Sequence, residues 1–355
     1  MDRNLPKSTH SLIALAVLVG VVILMMVACQ KEAPPTADLT PYPLQAPRGL
    51  DADFAKWIPA DNPLTVAKVE LGKKLYFDPR LSVDGTVSCA TCHNPTFGFS
   101  NGVQFSAGHK GQLGDRNSPT VVNRLYSTVQ FWDGRAASLE EQALGPVQNP
   151  VEMANTLDGM IANLDKISGY KPEFKRAFGT EEITPDRVAK ALASFERTLL
   201  SANSPFDRFQ EGETDAISES AKRGFMVFMG KGACNECHPA PLFTDEQFHN
   251  IGVGMDRENP DLGRFKVTNE EKDKGAFKTP TLRDITETYP YLHDGSGKTL
   301  QEVVQLYDRG GTPNPWLDAK IKPLKLTKQE KADLVEFLKT LTCTSIKIEE
   351  PVLPQ

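Results

Sequence analysis

The chain has no excess of positive charge, almost no alternating strand pattern and, beyond residue 30, no long apolar run. Each absence excludes a class. With 46 acidic against 40 basic residues and a net charge of −6, the counterion release that drives nucleic-acid binding is missing, so nucleic acid is not a partner. Without strand periodicity, sandwiches and barrels are excluded. Without a second apolar run, membrane contact is confined to the amino terminus. What remains is 355 residues of ordinary globular composition, enough for two domains of roughly 150 residues each.

The one apolar run, Leu12 to Ala28, follows Arg3 and Lys7 and ends at Cys29. Charge, apolar core and small residue in that order form an export signal over residues 1–28. Val27-Ala28-Cys29 resembles a bacterial lipobox, although Met26 stands where leucine is usual. A lipid on Cys29 is the expectation, with an uncleaved anchor or a plain cleaved signal as alternatives. The body is then periplasmic. Residues 29–49, rich in proline, read as an extended tether.

An exported chain with six cysteines suggests disulfides, but four of them fall in Cys89-Ala90-Thr91-Cys92-His93 and Cys234-Asn235-Glu236-Cys237-His238. C-x-x-C-H is the attachment signature of c-type haem. Two thiols on one helical turn reach the two vinyl groups of a porphyrin, and the adjacent imidazole ligates the iron. Redox C-x-x-C pairs or a Cys/His zinc site are the rival readings. Two haem c are therefore expected, with Cys89, Cys92, Cys234 and Cys237 attaching them and His93 and His238 as proximal ligands. Cys343 is left over and reads as a small buried hydrophobe.

An amphipathic helical stretch precedes each motif, Val66 to Phe77 and Ser220 to Met229. Further helix starts are marked by Ser138 with Glu141, Thr299 with Glu302 and Thr327 with Glu330, each spaced as a capping box. Thr184-Pro185 opens another helix carrying Val188, Leu192, Phe195 and Leu199 on one side, and 201–215 is the best domain boundary. The predicted fold is mainly α: two cytochrome c-like domains, 50–203 and 204–345, each with one covalently bound haem and packed around an inter-haem interface, then a tail, 346–355. Loops 94–118 and 249–278 are long enough to cover haem edges.

Function turns on the sixth position of each iron: a second strong ligand makes an electron carrier, an open one a catalyst. Composition leaves His109, His249, His293, the methionines and the tyrosines as candidates. A resemblance narrows this, carried by Leu75-Tyr76-Phe77-Asp78-Pro79-Arg80-Leu81-Ser82, Phe131-Trp132-Asp133-Gly134-Arg135-Ala136, Gly145 to Met153, Lys278 to Arg283 and Pro290-Tyr291-Leu292-His293-Asp294-Gly295. Over nearly all of residues 50 to 342 the chain is similar to the bacterial di-haem cytochrome c peroxidase and MauG family.

The resemblance implies that the first haem is peroxidatic and the second receives electrons. It places the acid/base glutamate on Glu152, the neighbouring glutamine on Gln142 and the inter-haem tryptophan on Trp132. Asn117, Thr288 and Pro290 match residues that hold a calcium ion, against ordinary loop hydrogen bonding. His109 matches a histidine that closes the peroxidatic iron at rest in some relatives, whereas in MauG-like ones this iron has no sixth protein ligand. In the helix after Gly295, the family's methionine ligand is replaced by Tyr307, as in MauG; Leu300, Val303, Val304 and Tyr307 share its buried face. Met255 is the remaining methionine candidate, and His249 and His293 read as residues that order loops or haem propionates. The implied activity is reduction of hydrogen peroxide with electrons from a small c-type cytochrome or cupredoxin. A MauG-type oxidase and a non-catalytic electron carrier are the alternatives, and a homodimer is left open.

Overall fold

The computed structural model describes residues 36–343 and 346–355; the expected export signal and Cys29 lie outside them. The described residues form a mainly helical body with one two-residue strand pair, β1 (Phe248–His249) against β2 (Phe277–Lys278).

The first domain is built on α1 (Val66–Phe77), which Thr65 caps by accepting from Lys68 N. Asp78 and Pro79 end it, because a proline ring stops the preceding residue from continuing a helix. The Cys89–Cys92 turn, α2, follows, then α3 (Leu139–Gln148), α4 (Leu157–Asp165), α5 (Tyr170–Phe178) and α6 (Pro185–Glu196). Leu71, Leu75, Tyr76, Phe174, Leu192 and Phe195 form its core. The second domain repeats the plan with α7 (Pro205–Gln210), α8 (Glu219–Met229), α9 (Phe265–Thr268), α10 (Leu300–Asp308) and α11 (Lys328–Lys339). Its core is aromatic, with Phe206, Phe228, Phe243 and Phe337 in mutual edge and tilted contact.

The two domains share one packing device. In the first, α1 crosses α6 so closely that a Cβ on Gly72 would lie 1.9 Å from Ala191 O and 3.0 Å from Phe195 Cβ. In the second, α8 crosses α11 with Gly224 equally close to Asp333 O, 1.9 Å, and 2.8 Å from Phe337 Cβ. No other residue fits at either crossing. Each phenylalanine begins a short matching end, Phe195 to Leu199 and Phe337 to Leu341, in which Thr198 and Thr340 hydroxyls donate to the phenylalanine carbonyls.

Helix starts fall where the caps predict, but of the three predicted boxes Thr327 with Glu330 alone closes in full. Glu141 and Glu302 reach one residue further back, to Ala137 N and Lys298 N. The Pro-rich stretch differs from a free tether. Asp38 N, Tyr42 N and Thr40 O are bonded to Arg176 O, Leu64 O and Val66 N, since Tyr42 and Leu44 have apolar surface to bury on the first core. The tail after the second domain also returns to the first: Ile346 and Ile348 pack on its core, Arg80 donates to Pro354 O and Gly169 N to Gln355 O.

The second domain holds one fully buried ion pair. Arg283, 1% exposed, donates to both Asp207 oxygens and to Pro241 O. Arg283→Met strands a buried carboxylate and is expected to cost about 3–5 kcal/mol in denaturant unfolding of the holoprotein. The double variant Arg283→Met/Asp207→Leu should recover much of that loss; equal losses would remove the pair from this account.

Candidate active site between the two haem motifs

A continuous cleft of about 830 Å³ separates the domains. From the first domain His93, Gln142, Glu152, Trp132 and Asn117 line it; from the second, His238, Thr288, Pro290 and Tyr307 do. Residues scattered through the chain thus share one wall-to-wall space.

The chemistry of the two histidines fits c-type haem. His93 Nδ1 lies 2.9 Å from Pro119 O and 3.3 Å from Phe99 O, and His238 Nδ1 lies 2.8 Å from Phe243 O. A carbonyl oxygen only accepts, so Nδ1 carries the proton in both rings and Nε2 keeps its lone pair for iron. Burial holds both imidazoles below their ordinary pKa, hence neutral. Tyr76 hydroxyl, donating to His93 O, fixes the first motif further. Cys89 and Cys92 sit on α2, Cys234 on a tight 3₁₀ turn over Cys234–Glu236, so both thiol pairs lie on a helical turn.

Two buried polar atoms in the cleft wall, Arg124 Nε and Glu196 Oε2, have no hydrogen-bond partner among the described residues. Unpartnered buried groups are costly, and a haem's carboxylates are the missing counterparts they suit. Glu196 is 5% exposed, and burial pushes its carboxyl up to about 8, the protonated side at neutral pH. Neither residue carried a motif in the sequence; both announce themselves only through burial.

Glu152 stands at the end of the loop after α3. Its Oε1 accepts from Asn149 Nδ2 at 2.7 Å, and Oε2 has no partner among the described residues. Burial raises its pKa, opposed by the positive charge of Arg135 and the Asn149 bond. An asparagine three residues before the glutamate is the local sequence signal for this bond. Gln142 projects from α3 into the same cleft.

Trp132 ties the domains together. Its Nε1 donates to Asn117 O at 2.8 Å and its carbonyl accepts from Lys278 N at 2.7 Å. Asn117 Nδ2 donates to Val103 O and Gln104 O, which turns Oδ1 away from them. Around this seam Arg116 bridges Asp133 and Asp261, each at 2.6 Å.

His109 is held outside the cleft. Its Nδ1 lies 2.9 Å from Asp84 Oδ2 without the alignment of a hydrogen bond, its N donates to Glu152 O at 2.7 Å, and Ser106 and Gly108 of its loop reach the cleft wall while its own ring does not. A Cβ on Gly108 would lie 2.2 Å from Val151 O, so the histidine loop is seated directly on the backbone of the glutamate loop. Tyr307, on α10, faces the His238 side; desolvation pushes its phenol well above the ordinary range. Met255 does not reach the cleft and packs instead against Gly275. His249 is clamped between Asp318 Oδ2 at 2.6 Å and Asp245 Oδ2 at 3.0 Å, and His293 stacks on Phe277. Both order loops.

The family signature described as di-haem cytochrome c peroxidase matches residues 66–215. The chain is 43% identical over 350 residues to the methylamine utilization protein MauG of Methylorubrum extorquens, covering 97% of this chain and 98% of that one. This protein belongs to the di-haem cytochrome c peroxidase and MauG family. It is 40% identical to the cytochrome c551 peroxidase of Nitrosomonas europaea over 84% of this chain and 86% of that relative. Among solved structures, a MauG-like protein associated with microbial copper homeostasis superposes with a TM-score of 0.75 at 31% identity, over 83% of this chain and 96% of its own. The family member described here is a di-haem oxidoreductase that acts on peroxide.

Proposed function

We propose that hydrogen peroxide is reduced to water in the part of the cleft between His93 and Glu152, with electrons supplied through the second motif. When bound, the haems supply the iron that takes up peroxide and passes electrons to it. The chain's own residues move the protons and exclude water. Glu152 Oε2 takes a proton from the near peroxide oxygen and returns it to the far one, which leaves as water; two electrons and two further protons complete two waters. The observation that carries the reading is that Glu152, Gln142 and His93 share one cleft with His238 and Tyr307, while Trp132 spans the seam. Purified di-haem protein should consume peroxide with stoichiometric oxidation of an uncharged hydroquinone. No turnover with that donor or with a reduced c-type cytochrome would return the protein to the class of electron carriers.

A second reading rests on His109 at Asp84 and on Tyr307 in the methionine position. It makes the first iron open and the second His/Tyr-ligated, suited to MauG-type oxidation of a protein side chain. The finer assignments belong to the same proposal. Asn117 Oδ1 with the carbonyls of Thr288 and Pro290 would hold a calcium ion, water completing its oxygen shell. The donor is a small c-type cytochrome or cupredoxin. The protein is periplasmic, and its only membrane attachment is through the amino terminus at Cys29; among the described residues no helix is long and apolar enough to cross a membrane.

A further inference from the structure

The acidic chain carries one strongly basic face, and it lies over the second haem motif. Residues 320–331 hold Lys320, Lys322, Lys325, Lys328 and Lys331 against a single acidic residue, Glu330. The segment is pinned inward at Ile321, which lines the cleft, and at Leu324 and Leu326, which pack on the second core, with Leu324 N donating to Asp308 O. Lys320, Lys322, Lys325 and Lys328, around these anchors, are all exposed. Lys320 Nζ lies 3.3 Å from Glu236 O and 4.0 Å from Cys237 Sγ, directly on the haem-attachment turn. Lys322, Lys325 and Lys328 make no hydrogen bond or ion pair among the described residues.

Beside this row the end of α8 exposes two large apolar side chains, Met226 at 69% and Met229 at 47%. The two parts are joined where Lys231, just past α8, meets Glu330 at 2.8 Å. Of the carboxylates nearby, Asp308 is paired with Lys331 and Asp318 lies against His249 Nδ1, while Glu236 is exposed. The face thus combines soft apolar contact area and unpaired positive charge with direct contact to the turn that carries Cys237.

We propose that this face docks an acidic, one-electron redox protein, which delivers its electron to the haem held by His238. The inference rests on the proposed role of that haem as electron receiver, and it narrows the donor by charge. Complementary charge raises the encounter rate and like charge suppresses the wrong partner. Flexible methionines suit a transient contact.

The test uses the oxidised holoprotein and one reduced c-type cytochrome in two forms, native and lysine-rich or succinylated and acidic. Stopped-flow absorbance should show the acidic form reducing the second haem about 10- to 100-fold faster at low ionic strength, the advantage shrinking as salt screens it. Lys322→Glu/Lys325→Glu/Lys328→Glu should erase that advantage while peroxide turnover with the uncharged hydroquinone stays unchanged. An equal or faster native form, or an unaltered rate in the triple variant, overturns the proposal. So does loss of binding to phosphatidylglycerol vesicles in the variant with cytochrome reduction intact, which would make the face a membrane contact. Failure of wild-type hydroquinone turnover would instead defeat the peroxidase reading.

Discussion

Glu152→Gln should retain both covalent haems and lose about 10²- to 10⁴-fold of its peroxide turnover, the range a positioned acid/base contributes. Glutamine keeps the side chain's size and accepts the Asn149 bond, but cannot take a proton from the near oxygen and return it to the far one. Stopped-flow peroxide decay is the measurement, with the haem absorption spectrum as control; unchanged turnover would remove Glu152 from the reaction. The pH profile supplies an independent check. As the base, Glu152 works ionised, so turnover falls as pH drops through its raised pKa. The Asn149 bond stabilises the charged form, so Asn149→Leu should raise that pKa further and move the acid limb to higher pH, with the high-pH rate less affected.

The second large effect concerns Tyr307. Burial disfavours its phenolate, and only a positive centre next to the oxygen reverses this. A ferric iron is such a centre, and the hard anionic ligand in turn favours the ferric state. Tyr307→Met should raise the potential of the second haem by on the order of 100 mV or more, within the ~0.8 V that axial ligands span. Tyr307→Phe should abolish its low-spin ferric signal in low-temperature electron paramagnetic resonance. A potential and a signal indifferent to both substitutions would mean that another residue serves this iron.

Much of this was legible in the chain because the responsible signals are local. C-x-x-C-H motifs, caps such as Thr327 and the residue pattern over Val66 to Phe77 act over a few residues, and α1 begins and ends where that pattern places it. What escaped depends on contacts between distant segments. Gly72 and Gly224 look like weak points in their helices until α6 and α11 are laid across them. Glu196 is an ordinary helical glutamate until the cleft wall closes around it. His109 matches a ligand by position, yet the seat of Gly108 on the Val151 carbonyl and the nearby Asp84 decide where its ring goes. The docked stretch from Asp38 was missed because proline content describes stiffness and says nothing of Tyr42 and Leu44 finding a surface.

The returning tail bears on the order of assembly. Ile346, Ile348, Pro354 and Gln355 cover the first domain but follow the second in the chain. A chain synthesised from its amino terminus therefore completes the first haem motif before that domain has received its cover. The contacts at Gly169 and Arg80 form only once the tail has come back, so the two halves complete each other although each has a core of its own.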